Sequence, residues 1–121
     1  MMKMNYCVLG TNNMAAAIAF YNTLFHKTAF KHVLTTERMA FWQGDDEDAA
    51  FAIAIPFNTE EATYGNGTMI GFSVGSNEEV IRMHKTAIEL GGMCEGVPSQ
   101  RGPRFSAYVR DLDNNKLVFG D

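Results

Sequence analysis

The side chains with most to offer a ligand are three arginines near the end of the chain, Arg101, Arg104 and Arg110. A planar guanidinium can hold a carboxylate or phosphate through two parallel hydrogen bonds. Arg101 and Arg104 flank Gly102-Pro103, and a solvated loop is the competing reading for both. Arg110 precedes Asp111 and Asp113, either of which can take up its charge. Ser73, Ser106 and Tyr108 add hydroxyl groups. Neither serine has a base visibly paired with it, as a nucleophile requires. Trp42 has the ring area to stack on a planar ligand, or equally to fill a cleft or an interface.

Metal and phosphate chemistry find little support. His26, His32 and His84 share no i, i+4 spacing and no H-E-x-x-H pattern. His26 falls at the end of the first helix, where an imidazolium suits the dipole. His32 is expected exposed or hydrogen-bonded near the second strand, and His84 mid-helix and solvent-facing. Cys7 and Cys94 stand alone, without C-x-x-C spacing. That argues against a disulfide framework or a zinc site, and two lone thiols suit a reducing cytoplasm. Cys7 is expected to be a buried, inert thiol. Gly65-Asn66-Gly67 lacks the strand–glycine–helix setting of a phosphate loop.

The formal charge is −4, against the basic surface that nucleic acid or an anionic membrane demands. The run Asp45-Asp46-Glu47-Asp48 reads as a solvated hairpin tip or as a cation-attracting rim. The apolar runs Met14–Tyr21 and Ala49–Phe57 are too short to span a bilayer. The first residues lead almost directly into strand-like sequence, which predicts no signal peptide.

These groups must be positioned by a small number of elements. At 121 residues one compact domain is expected. Its first half reads as a strand Asn5–Thr11, a helix Met14–Phe25 capped by Asn12 or Asn13, and strands near Ala29–Thr35, Arg38–Gln43 and Ala49–Pro56. The helix stripe is Met14, Ala17, Ile18, Tyr21, Leu24 and Phe25. The second half repeats the order. Strand Met69–Val74 leads to a capping box from Ser76 to Glu79. Helix Glu78–Leu90 buries Val80, Ile81, Met83 (at its edge), Ala87, Ile88 and Leu90, and Gly91-Gly92 stops it. Strands Met93–Val97, Phe105–Arg110 and Lys116–Gly120 follow, with Arg101–Arg104 in a loop. The chain therefore reads as a single α+β domain, 1–121, of two β-α-β-β-β modules, about 1–58 and 67–121, joined by connector 59–66.

Strand side chains alternate between faces. One set is large and apolar: Cys7, Leu9, Met39, Phe41, Phe51, Ile53 and Ile55, then Ile70, Phe72, Val74, Phe105, Ala107, Val109, Leu117 and Phe119. It is expected to pack on the helices. The other set is mixed: Tyr6, Val8, Trp42, Ala52, Ala54, Met69, Gly71, Ser73, Ser106, Tyr108, Arg110 and Val118. Such a surface suits a concave ligand cleft between the modules, or a dimer partner.

The paired modules resemble the vicinal oxygen chelate superfamily of glyoxalases, bleomycin- and fosfomycin-resistance proteins and extradiol dioxygenases. The local markers are Leu9–Asn13 running into Ala19-Phe20-Tyr21, and Tyr108–Leu117. The tail is similar to an Asp-Pro-Asp-Gly-Asn turn, with Leu112 and Asn114 in place of proline and glycine. Asn tolerates the left-handed backbone such a turn needs. Gly65–Met69 resembles a glyoxalase-like sub-group without an assigned reaction. The resemblance implies a curved mixed sheet around a cleft. It implies metal ligands near Tyr6, Met69 and Val118 and on the strand of Ala52 and Ala54. None of these is a carboxylate or imidazole. Phenol oxygen ionises only near pH 10, and thioether sulfur prefers soft ions.

The expectation is a glyoxalase/bleomycin-resistance-like protein holding a small amphipathic molecule without a metal or other cofactor. Tyr6, Trp42, Met69, Ser106, Tyr108 and Val118 would line the site, with Arg104 or Arg110 orienting an anionic group. The alternative is a lactoylglutathione lyase-like or related enzyme using a divalent metal on displaced ligands. The partners expected are the small molecule and a second copy of the chain, through aromatics of Met39–Trp42. No nucleic acid or membrane partner is expected, and the setting expected is the cytoplasm.

Overall fold

A computed structural model describes residues 1–45 and 47–121. The chain divides into two compact units, Met1–Thr63 and Tyr64–Asp121. The first contains β1 (Tyr6–Gly10), α1 (Met14–Leu24), β2 (Lys31–Thr35), β3 (Met39–Gln43) and β4 (Ala50–Ala54). The second contains β5 (Ile70–Ser73), α2 (Asn77–Glu89), β6 (Met93–Arg101), β7 (Arg104–Arg110) and β8 (Lys116–Gly120). Each unit is thus β-α-β-β-β. Each forms a four-stranded mixed sheet, in the order β1-β4-β3-β2 and β5-β8-β7-β6. In each, the first strand pairs in parallel with the last and the remaining pairs are antiparallel.

The helix starts are fixed by side-chain caps. Asn13, rather than Asn12, caps α1, accepting from the Ala16 N–H at 3.0 Å. Asn12 is used differently. Its amide donates to the Ala62 carbonyl at 3.1 Å and accepts from the Ala62 N–H at 2.7 Å, tying the connector back to the end of β1. Ser76 caps α2, accepting from the Glu79 N–H at 3.2 Å.

The first core is aromatic. Tyr21 and Phe25 of the α1 region meet Phe51 of β4 with ring centroids 4.8 and 5.6 Å apart. Phe20 is also buried, beyond the stripe expected from spacing. The face expected for β3 is corrected. Register pairs Phe41 with Ala52, and Trp42 with Phe51. Paired residues share a face, so Trp42 points to the helix and Met39 and Phe41 point away. Trp42 is 1% exposed. It packs on Tyr21 and Phe25, and its indole N–H donates to Asn22 Oδ1 at 2.9 Å. Filling this space and pairing the N–H decided the register, because a one-residue slip exchanges the faces. Trp42 is therefore no outward contact for a second copy.

In the second core Val80, Met83 and Ala87 are buried with Val109, Leu117 and Phe119. Ile81 and Ile88, expected inside, are exposed. Strand β6 runs through Arg101 instead of ending at Val97. Its pairing with β7 is irregular between Cys94 and Ser99. Pro98 is accommodated there because β6 is an edge strand, where a missing N–H costs no ladder bond. The β7–β8 turn is organised by buried Asp111, whose carboxylate accepts from the N–H groups of Asp113 and Asn115 at 2.8 and 2.9 Å. Asn114 takes the left-handed φ of 67° that its place in the turn suggested. Of the acidic run, Asp45, Glu47 and Asp48 are exposed between β3 and β4, and Asp46 lies outside the described residues. Among the described residues no helix is long and apolar enough to cross a membrane.

Candidate functional site

The side of the second sheet away from α2 carries a pocket of about 450 Å³. Alternation places its lining. Gly71, Val118 and Tyr108 are in register across three strands, as are Ser73, Gly120 and Ser106. Arg101 and Arg104 form the rim where β6 turns into β7. Glycine at 71 and 120 keeps the floor low. A methyl group at Gly71 would stand 3.2 Å from Val118 Cγ1, and one at Gly120 would stand 4.0 Å from the Arg104 guanidinium.

The rim is cationic. Arg101 lies over the Tyr108 ring at 5.2 Å and Lys116 lies 5.3 Å from the same ring. Arg101 is already committed: it donates to the Ser106 carbonyl, and to that of Val97 at 2.8 Å. Its close seat depends on Gly96, where a Cβ would come within 2.9 Å of Arg101 Nη2 and 3.1 Å of Tyr108 Cδ1. Arg104 is exposed, and among the described residues its guanidinium has no protein partner.

Of the residues expected at a site, Arg104, Ser106, Tyr108 and Val118 come together here. Arg110 does not join them. Its Nε donates to Glu95 at 2.9 Å and its Nη1 to the Asn114 carbonyl at 3.0 Å, and it lies over Tyr64 at 5.3 Å. The ion-pair partner is thus Glu95, while the Asp111 carboxylate serves its own turn. Met69 precedes β5 and is exposed, outside the pocket lining. Tyr6, on the first unit, is exposed and edge-on to Phe41 at 6.0 Å. Trp42 is in the first core, on the opposite side from Tyr6. Arg101, expected in a loop, ends β6, and Gly96 and Gly120, which carry no side chain to suggest a role, shape the site through the space they leave. The alternation of small residues along β5 and β8 was the signal for the floor.

The side chains do not fit a divalent ion. Tyr6, Ala52, Ala54, Met69 and Val118 supply no imidazole or carboxylate. Among the described residues no three of His, Cys, Asp and Glu gather in a group that could hold a metal. His32 stacks on Trp42 at 4.9 Å and its Nε2 is 2.7 Å from Thr35 Oγ1. His84 is half-buried beside Cys94 rather than free in solvent, and His26 is exposed at the end of α1. Cys7 is half-buried, and burial pushes its thiol up from the ordinary value.

A family model described as the Glyoxalase/Bleomycin resistance protein/Dioxygenase superfamily matches residues 3–119. Among solved structures, a glyoxalase/bleomycin resistance protein from Albidiferax ferrireducens is 29% identical. It superposes with a TM-score of 0.89 over 97% of this chain and 96% of that one. A hypothetical protein from S. aureus is 21% identical with a TM-score of 0.79, over 99% of this chain and 94% of that one. The lactoylglutathione lyase of Agrobacterium tumefaciens is 18% identical with a TM-score of 0.72, over 99% and 93%. The last two likenesses are of fold alone. No curated protein matches this chain.

Proposed function

The chain belongs to the glyoxalase/bleomycin resistance/dioxygenase superfamily, and from that premise we propose that it binds a small amphipathic anion on the open face of its second sheet, without a metal ion. The observation that carries this reading is the unpartnered Arg104 guanidinium over a glycine-floored pocket. A charge-assisted bond to such a group is worth about 1.5–3 kcal/mol. Arg101 and Arg104 put two guanidinium groups in the lining although the whole chain is negative. The Tyr108 ring and Val118 receive the apolar part of the ligand. Sequestration of this kind asks for shape, one fixed charge and an apolar wall, and no bond need be made or broken.

The test uses benzoate and phenyl phosphate titrated calorimetrically into chelator-treated protein. Saturable binding that a chelator leaves unchanged, and that Arg104→Ala weakens, is the expected result. Binding that appears only after a divalent ion is added favours a metal-dependent lyase instead. Pairing as a homodimer and a cytoplasmic setting belong to the same proposal. Exposed Val33 and Leu34 on the edge strand β2 offer a surface for pairing, and light scattering gives the mass that decides it.

A further inference from the structure

A second centre of chemistry lies on the other side of the second sheet. There α2 packs beside the edge strand β6. His84 Nε2 stands 3.2 Å from Cys94 Sγ, joining a mid-helix imidazole to a strand thiol. Cys94 is exposed and in no disulfide. We propose that Cys94 is a covalent modification site, where His84 takes the thiol proton and the sulfur adds to an α,β-unsaturated carbonyl compound.

A thiolate, not a thiol, is the nucleophile, so an adjacent base is what such a site requires. Burial holds the His84 imidazole below its ordinary value, which favours the neutral ring, the form with a nitrogen free to accept the S–H proton. No charged neighbour is needed to explain this. On α2, Arg82 is ion-paired with Glu79, and Lys85 and Glu89 are exposed. On β6, Glu95 is paired with Arg110. The surroundings choose the electrophile. Ile81 and Ile88 flank His84 on the same helical stripe and are 50% and 37% exposed. Val97 of β6 is exposed as well. An apolar carbon electrophile suits this rim.

The step balances without a redox partner. The thiol proton moves to Nε2 and the sulfur lone pair forms a bond to the β-carbon. The π electrons of the alkene shift to give an enolate, and the imidazolium returns the proton to the α-carbon. Cys7 is the internal control. It is half-buried, its S–H points to the Ala50 carbonyl at 3.7 Å, and burial raises its pKa.

The experiment follows N-ethylmaleimide addition to the full chain by intact mass and peptide mapping. It compares the unaltered protein with His84→Gln and Cys94→Ser. Cys94 is expected to react first, and His84→Gln to slow that reaction by about 10-fold or more. Cys94→Ser leaves only slow labelling at Cys7. The unaltered protein is also run over roughly pH 4.5 to 8, the imidazole range extended downward because burial lowers the His84 value. Its rate is expected to fall as His84 gains a proton, in a step separate from the thiol's own. That profile decides the matter if His84→Gln does not fold. Equal rates with and without His84, earlier labelling of Cys7, or a single thiol titration in the profile would each overturn the proposal.

Discussion

The two units share an element order and a strand order, yet the faces their sheets turn away from the helices have different chemistry. In the first unit that face carries Tyr6, Val8, Met39 and Phe41 beside alanines, with no charged side chain along these strands. In the second it carries Tyr108 and Val118 among glycines and serines, ringed by Arg101, Arg104 and Lys116. The helices differ too. Helix α1 has no acidic residue in its first turn and sinks its aromatics into the core, whereas α2 begins with Glu78 and Glu79. The lesson is that ladder pairing and a buried apolar face fix the module, while the free face can be rewritten without disturbing either.

Breaking the first unit takes one residue. Trp42→Ala is expected to cost about 3–5 kcal/mol, read from the urea unfolding midpoint. A cost below about 1 kcal/mol, usual for an exposed site, would return Trp42 to the open face. The second unit answers differently. Arg104→Ala is expected to leave unfolding unchanged and to weaken benzoate by about 10- to 100-fold, the equivalent of one charge-assisted hydrogen bond. Gly96→Ala sharpens the contrast. Its methyl group displaces Arg101 from Tyr108, so a smaller loss of about 1 kcal/mol in affinity is expected, measured by the same titration.

The smallest effect concerns α2. The Arg82 side chain hydrogen-bonds Glu79 at 2.7 Å and holds its carboxyl below the ordinary value. A lowered carboxyl stabilises the fold above its unfolded pKa, and that contribution is lost as pH falls through the folded value. The pair is partly exposed and is worth about 0.3–0.5 kcal/mol. Arg82→Ala should remove that much at neutral pH, as measured by unfolding, and almost nothing in strong acid or high salt. Helix α1, without such a pair, should show no counterpart.

Much of the module was legible in the chain because its signals are local. Ser76 and Glu79 marked a helix start, and Asn114 a left-handed turn. Faces were legible where only one was apolar, as in β7 and β8, and this brought Ser106, Tyr108 and Val118 onto one surface. They failed in β3, where Met39, Phe41 and Trp42 offer bulk to both sides and only the fit against Tyr21 and Asn22 decides. The length of β6 was hidden by Pro98, which reads as a stop and is absorbed by an edge irregularity. The partner of Arg110 was hidden for a related reason. Glu95 lies 15 residues away and becomes a neighbour only across the β6–β7 ladder.

An anion held by Arg104 on the glycine-floored face of the second unit, without a metal, would perturb the backbone around it. Backbone amide shifts of isotope-labelled, chelator-treated protein titrated with benzoate test this most directly. Saturable shifts are expected at Gly71, Ser73, Ser106 and Gly120, with a midpoint that moves to about 10- to 100-fold higher benzoate in Arg104→Ala. Shifts that require an added divalent ion, or that leave these four amides unmoved, would contradict such binding.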